Sequence, residues 1–140
     1  MKAVDEGIIS KFTALNDLSE RNSFYTSVSG KLYKGRAPQN ATLPYAVFNL
    51  ISDVPEWTFN TDFVRMRYQF DLYSSNNSSV EVENMYTYLN TLFDWCSLAV
   101  DSHDHVHMKR ELARLTRDPE DDNWHYIVDF EIFEENQTTR

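Results

Sequence analysis

The residues best placed to do chemistry lie between Asp101 and His107, where the chain reads Asp-Ser-His-Asp-His-Val-His. In an extended strand, His103, His105 and His107 would project from one face, and imidazole nitrogens are common zinc ligands. Alternate residues of a strand lie about 7 Å apart, too far for three collinear histidines to share one ion without a bend. His125 is expected about 25 Å farther along a neighbouring strand, so it does not supply a fourth ligand. We therefore expect no metal and no cofactor, and interpret this stretch as the polar start of a strand.

Other features resemble binding sites only in part. The acidic turn at residues 118–122 lacks the spaced ligands and the glycine of an EF-hand calcium loop. Lys31, Lys34 and Arg36, with Tyr33 between them, form a short basic stretch that could meet nucleic acid. The chain has 3 glycines, and its sequence contains neither a Rossmann fingerprint nor a Walker-type phosphate-binding loop. We predict that the protein is not an enzyme, and a small metal-dependent enzyme using residues 101–107 is the alternative.

The composition indicates one folded domain spanning residues 1–140. With 41% hydrophobic and 25% charged residues, the chain can bury a core but is too short for two domains. Its apolar runs reach about four residues, whereas a membrane-spanning helix needs about 20. The single cysteine, Cys96, cannot form an intrachain disulfide, which is typical of a reducing compartment. We therefore expect synthesis in a cytoplasm and no membrane partner.

Charge and aromatic content narrow the kinds of partner. The net charge of −9 makes the field of the whole molecule repel phosphate backbones and anionic lipid. Aromatic residues make up 14% of the chain, and both sheet cores and protein–protein interfaces use them. The excess therefore either fills an ordinary sheet core or serves self-association, and both interpretations stay open.

The first element is predicted to be a helix that ends near Leu18. One apolar stripe follows the helical period and consists of Val4, Ile8, Phe12 and Leu15. Residues 16–29 are rich in Asn and Ser and interrupt this pattern. A short extended segment follows at residues 31–34. Two prolines make residues 36–44 irregular, because each proline pushes its predecessor out of helical space.

Two strands are predicted next, at residues 45–52 and 63–73. In the second strand, apolar residues alternate with polar ones, so one face is buried and the other is polar. The apolar set is Val64, Met66, Tyr68, Phe70 and Leu72. Arg65 and Arg67 lie on the polar face, where they either contact a partner's carboxylates or are simply solvated.

The connection between these strands, residues 53–62, is longer than the about 2–5 residues of an ordinary hairpin loop. It carries Trp57 and Phe59. The segment either extends as an arm that offers apolar side chains to a neighbouring molecule, or folds back over the core. We predict the arm, and take Trp57, Phe59, Arg65 and Arg67 as candidate interface residues.

A second helix is predicted from a capping box at Ser78-Ser79-Val80-Glu81, in which serine and glutamate side chains satisfy backbone N–H groups reciprocally. An apolar stripe follows at helical spacing and consists of Val82, Met85, Tyr86, Leu89, Leu92, Phe93 and Cys96. This stripe is expected to lie across the apolar face of the sheet.

Two more strands are predicted at residues 105–116 and 124–134. If their hairpin is centred on Glu120, three favourable cross-strand pairs form: Leu112–Val128, Met108–Ile132 and Lys109–Glu131. The same register sets Glu111 against Asp129, which is unfavourable because both are acidic.

The predicted fold class is α+β: an antiparallel sheet with two helices packed on one face, in the order α-β-β-α-β-β. A small extra strand at residues 31–34 is a possible addition to this order.

Three segments also follow one another in an order that resembles a known family. They are residues 32–39 (Leu-Tyr-Lys-Gly-Arg-Ala-Pro-Gln) with 43–48 (Leu-Pro-Tyr-Ala-Val-Phe), residues 67–73 (Arg-Tyr-Gln-Phe-Asp-Leu-Tyr) before the capped helix, and the late strand through Arg110 with Trp124-His125-Tyr126. In this order and spacing the chain resembles the tail-completion, or tail-terminator, proteins of long-tailed bacteriophages. The resemblance runs from the first helix to the last strand.

The resemblance implies an assembly role in a virion. Similar small α+β proteins form a ring, typically of six copies, at the head-proximal end of the tail tube. The ring caps the tube, stops its polymerisation and presents a surface to the head–tail connector protein. Expected partners are therefore further copies of the chain, the major tail-tube protein and the connector, while genomic DNA passes through without specific binding.

The resemblance carries over no active-site residue and places the protein at the head–tail junction of a particle assembled in the host cytoplasm. A head-completion or neck adaptor of the same virion is the alternative, because similar size and charge would not separate the two.

Overall fold

The computed structural model describes residues 2–15, 20–55, 64–100, 103–120 and 122–134, without the side chains of residues 54, 55, 64 and 103–105. Within these ranges three helices and six strands form. The helices are α1 (Lys2–Thr13), α2 (Ser23–Ser27) and α3 (Val80–Phe93). The strands are β1 (Leu32–Lys34), β2 (Tyr45–Pro55), β3 (Val64–Ser74), β4 (Cys96–Val100), β5 (His103–Arg117) and β6 (Trp124–Glu134).

The strands form one mixed sheet in the order β1-β2-β3-β6-β5-β4. The mixed α+β class is confirmed, but the prediction of a purely antiparallel sheet is wrong, because β1 pairs parallel with β2 from Leu32 opposite Ala46. Residues 35–44 explain the difference. They return the chain to the end of the sheet from which β1 started, and a parallel pair needs such a long connection.

The predicted order of elements is incomplete. It lacks α2 and β4, and it includes β1 only as an addition to the main order. The side-chain oxygen of Asn22 caps α2 by accepting a hydrogen bond from the Tyr25 backbone N–H at 2.7 Å. This helix therefore forms inside the Asn- and Ser-rich stretch that was expected to be irregular. The first helix also ends earlier than predicted, at Thr13, and Leu15 is exposed and bridges to Arg21.

The helices and one set of alternating strand side chains share a single hydrophobic core. Phe70 lies at its centre, with ring centroids 5.4–5.6 Å from three other phenylalanines: Phe48, Phe93 and Phe130. Tyr68, two residues earlier on β3, contacts α1, whereas Phe70 contacts α3 through Phe93. Among the described residues, no helix is long and apolar enough to cross a membrane.

Helix α1 contacts both edge strands of the sheet. Asp5 forms an ion pair with Lys34 of β1, and it accepts a hydrogen bond of 2.6 Å from the hydroxyl of Tyr68 on β3. At the other edge, Gly7 lies so close to β4 that an added methyl group would be 2.9 Å from the carbonyl oxygen of Ala99. The sheet therefore curls around α1, and the glycine permits the close approach of helix and strand.

The buried hydroxyl of Tyr68 should make stability fall at high pH. Burial, then the hydrogen bond and negative charge of Asp5, raise the pKa of Tyr68 well above its ordinary value. The native state therefore keeps a proton that the unfolded chain releases above about pH 10, so this group stabilises the fold below that pH and its contribution is lost as pH rises. We expect the free energy of unfolding to fall by about 1.4 kcal/mol per pH unit for this group.

Urea unfolding of wild type and Tyr68→Phe between pH 9 and 11 measures this effect. The variant should be less stable at pH 7 and should lose stability less steeply above pH 10. Tyr88→Phe, which removes a hydroxyl from an exposed position of α3, controls for the substitution itself. Parallel slopes for wild type and Tyr68→Phe would contradict the role given to this hydroxyl.

The start of α3 differs in detail from the predicted capping box. Ser79, not Ser78, is the N-cap residue, and its side chain makes no capping hydrogen bond. The hydroxyl oxygen of Ser78 accepts instead from the Val80 backbone N–H at 3.2 Å. The carboxylate of Glu81 does not reach back along the helix, because it accepts a hydrogen bond of 2.5 Å from the Ser74 hydroxyl at the end of β3.

The β5–β6 register is confirmed over the first half of the hairpin and wrong over the second. Met108 faces Ile132 and Lys109 faces Glu131, as predicted. A β-bulge at Glu111 then shifts the pairing by one residue. Leu112 faces Asp129 instead of Val128. The bulge removes the unfavourable opposition of Glu111 and Asp129, and it turns Leu112 outward, where it is 57% exposed.

Candidate functional site

The candidate functional surface is the sheet face whose side chains alternate with the core residues, which we call the open face. On β3 and β6 it consists of Arg65, Arg67, Gln69, Asp71, Tyr73, His125, Ile127, Asp129, Glu131 and Phe133. Neighbouring strands extend it with Tyr45, Val47 and Leu112. Arginine and aromatic side chains, which are enriched at protein–protein interfaces, share this face.

Arg65 and Arg67, predicted as interface residues, both lie on the open face and are exposed. Arg65 Nη1 is 3.0 Å from Glu131 Oε1, so it already pairs with a carboxylate of its own chain. Burial raises the pKa of Asp129, and the positive charge of Arg67 opposes that shift. The contact of Arg65 and Arg67 with a partner protein stays a prediction. Trp57 and Phe59, the other two candidates, lie outside the described residues.

A buried carboxylate links β3 to β6 on the open face. Asp71 Oδ1 is 2.8 Å from His125 Nε2, and it accepts a hydrogen bond from Gln69 Nε2 at 3.0 Å. The ring of Tyr73 stacks on His125 with centroids 4.4 Å apart.

Burial raises the pKa of the Cys96 thiol to about 11, so this thiol is not an activated nucleophile. Among the described residues, no serine, threonine or cysteine completes a hydrogen-bonded triad with the Asp71–His125 pair.

The histidine stretch shows no metal site in the part that the structure describes. Side chains 101–105 lie outside it. The ring of His107 packs near Phe133 with centroids 5.8 Å apart, and its Nδ1 is 3.4 Å from the Ser97 hydroxyl. Within the described ranges no group of three His, Cys, Asp or Glu side chains could hold a metal ion. His125 faces Thr116, toward the other end of the hairpin from His107.

The acidic turn and the basic stretch both use their charges within the chain. Asp122 pairs with Arg117 at 2.8 Å, and Asp118 accepts from the backbone N–H of Glu120 at 2.9 Å. Lys31 Nζ donates to the backbone oxygen of Thr42 at 2.6 Å. Lys34 pairs with Asp5, as described above. Among the described side chains of these segments, Asp118, Asp122, Lys31 and Lys34 are therefore already engaged within the chain.

Trp95 is an exposed side chain that the sequence pattern did not indicate. It lies two residues after the end of α3, is 71% exposed and has a φ of 59°. A bulky residue rarely adopts this left-handed conformation, so the turn holds the indole outward at a conformational cost. Asp94 fixes the turn by accepting a hydrogen bond from the Arg110 backbone N–H at 2.8 Å. The helical stripe was expected to continue to Cys96, which concealed this turn.

The comparison with protein families decides what kind of protein presents this surface. A family model described as tail completion protein gp17 matches residues 15–135, which include all six strands. The chain belongs to the tail completion protein gp17 family. The match begins after α1, whereas the resemblance in the sequence starts with the first helix. The predicted family is confirmed, and the chain is a phage tail-completion structural protein.

Solved structures show that the fold of this tail completion protein recurs. A chain of a virion of a native gene transfer agent particle matches with a TM-score of 0.74 and 10% identity, over 94% of this chain and 93% of that chain. A second solved structure without a descriptive name matches with a TM-score of 0.56 and 11% identity, over 97% of both chains. No curated protein sequence matches at a significant level.

Proposed function

We propose that this tail completion protein forms a ring, with six copies expected, at the head-proximal end of the tail tube. There it stops polymerisation of the tube and joins the tail to the head connector. The observation that supports this role best is the tail-completion family match over residues 15–135, which covers the whole sheet. The proposed location is the head–tail junction of a virion assembled in the host cytoplasm.

The electrostatics of the chain suit this role. A net charge of −9 repels nucleic acid, so DNA passing through an acidic ring is not retained. High net charge also keeps single copies soluble until a tube end offers a template. The expected partners are other copies of this chain, the major tail-tube protein and the head–tail connector protein.

The protein is proposed to act without catalysing a reaction. Asp71 and His125 form a pair of the kind found in catalytic sites, but their described hydrogen bonds tie β3 to β6 and reach no nucleophile. A contact function places its requirements on shape, exposed apolar groups and charge complementarity instead.

Particles assembled without this protein provide the test. Tails are expected to have uncontrolled lengths and to remain detached from heads, and adding the purified protein during assembly should restore both length and joining. Tails of uniform length that merely fail to attach would indicate a head-completion adaptor and contradict the terminator role. Protein treated with a chelator should restore assembly as well as untreated protein, whereas a metal-dependent enzyme would fail.

A further inference from the structure

Two glutamate side chains of neighbouring strands lie against each other on the open face. The bulge at Glu111 of β5 removes this residue from its opposition to Asp129, and a hydrogen bond joins its carboxyl group to that of Glu131 on β6. An ionised carboxylate has no proton to donate, so a hydrogen bond between two carboxyl groups requires that one of them is protonated. The contact between these two glutamates therefore depends on a proton.

Two cations flank the pair. Nη1 of Arg65 on β3 is 3.0 Å from Oε1 of Glu131, and Nζ of Lys109 on β5 is 3.6 Å from Oε1 of Glu111. The four side chains, which we call the charged row, hold two carboxyl groups between two positive charges. When both carboxyl groups are ionised, their mutual repulsion opposes the attraction of each for its cation, and a single shared proton removes that repulsion.

Both carboxyl groups are partly shielded from water. The side chain of Glu131 is 14% exposed and that of Glu111 is 29% exposed. Water screens charges less well at such positions, so repulsion between two carboxylates is stronger here than on a fully exposed strand. Burial also removes part of the hydration that stabilises a carboxylate. Both effects favour the protonated form of the pair.

Further charged and titratable groups lie beside Glu131 on the strands that flank it. Arg67 of β3 and Lys109 of β5 face it directly in the ladder. Asp129 is two residues away on the same face of β6, and His107 lies one open-face position beyond Lys109 on β5. The cations favour the ionised form of Glu131, whereas the neighbouring acids oppose it.

The balance of these influences leaves the proton favoured on Glu131. Burial raises the pKa of Glu131 most, followed by the hydrogen bond with Glu111, and the positive charges of Arg65 and Lys109 offset only part of this shift. The folded chain therefore keeps a proton that the unfolded chain releases above the ordinary glutamate value of 4.5. The proton stabilises the fold at low pH, and its contribution is lost as pH rises through the raised pKa.

We propose that Glu111 and Glu131 share one proton and form a pH-sensitive switch on the open face. With the proton, a carboxyl–carboxylate hydrogen bond joins β5 to β6 and the charged row carries a net positive charge. Without it, the two carboxylates repel each other and the row is neutral. Acidification therefore strengthens the contact beside the bulge and makes the open face more attractive to an acidic surface. The switch belongs to the single chain, so it holds whether or not the proposed ring forms.

Replacing Glu111 with glutamine tests the switch in the isolated protein. Glutamine keeps a hydrogen-bonding side chain but donates to the ionised form of Glu131, so the titration midpoint of Glu131, followed by carboxyl carbon NMR, should fall toward 4.5. In urea unfolding, the variant should also lose less stability than the wild type as pH rises from about 4.5 to about 7.

Two further variants separate the switch from a general effect of charge. Lys109→Gln should raise the titration midpoint of Glu131, because it removes a cation that favours the ionised form. Glu120→Gln, at an exposed acid outside the charged row, is the matched control for Glu111→Gln and should leave the midpoint unchanged. Melting temperatures verify that each variant folds.

The NMR titration decides whether the switch exists. Equal midpoints of Glu131 in wild type and Glu111→Gln would overturn it, as would a wild-type midpoint at or below 4.5. If Glu111 serves only as the ion-pair partner of Lys109, Glu111→Gln should lower stability equally at both ends of the pH range and leave the midpoint unchanged, and this result would also contradict the shared proton.

Discussion

Replacing Leu89 with alanine should lower the free energy of unfolding by about 2–5 kcal/mol. Leu89 is fully buried on the core side of α3, so its truncation removes apolar contacts and leaves a cavity beneath the helix. A domain of this size is typically stable by about 5–15 kcal/mol, so the variant would lose a large part of its stability. Urea unfolding followed by circular dichroism measures the loss.

Leu112→Ala is the matched control, because it makes the same change at an exposed leucine of β5. It should alter the free energy of unfolding of the isolated protein by no more than about 0.5 kcal/mol. If Leu89→Ala unfolds at the same urea concentration as wild type, α3 does not cover the core as described.

Replacing Trp57 and Phe59 together with serine should strongly impair assembly on tail tubes and leave the melting temperature near that of the wild type. Aromatic anchors at interfaces each contribute about 2 kcal/mol or more, so losing two should weaken assembly by more than about a hundredfold. The described ladder of β2 and β3 ends with Pro55 opposite Val64, and Trp57 and Phe59 lie outside the described residues. Sedimentation with tail tubes and calorimetric melting give the two measurements.

Tyr88→Ser, which removes an exposed aromatic side chain from α3, is the control and should assemble normally. A large fall in melting temperature for the Trp57 and Phe59 variant would mean that these residues pack against the core, and would contradict the arm.

The period of the apolar residues predicted the long strand β3 and the long helix α3. Each of them buries one face, and this burial requires apolar residues at the spacing of a strand or a helix. The alternation along β3 and the stripe of α3 are both reproduced in the core, with Tyr68, Phe70, Met85 and Leu89 all buried. These patterns depend on local spacing and the hydrophobic effect, so they can be read without knowledge of the rest of the chain.

Elements that depend on distant contacts could not be predicted in the same way. β4 is too short to show a period, and its position depends on pairing with β5 and on the close approach of Gly7. The bulge at Glu111 had one visible signal, the clash of two acids in the unshifted register, but the sequence did not say how the chain would relieve it. The outward position of Trp95 follows from a backbone conformation that residue type does not reveal.

The candidate site was predicted only in part, for a related reason. Arg65 and Arg67 were identified because strand alternation places them on the polar face. The pairing of Arg65 with Glu131 depends on the neighbour that β3 finds in the sheet, which is β6 rather than a strand close in sequence.

Electron microscopy of tail-tube subunits polymerising with and without this protein is the decisive experiment for the terminator role. We expect the protein to bind one end of each tube as a ring and to stop elongation there, so that tubes become shorter as more protein is added. Tubes that elongate equally in its presence, with no protein at either end, would contradict the terminator role.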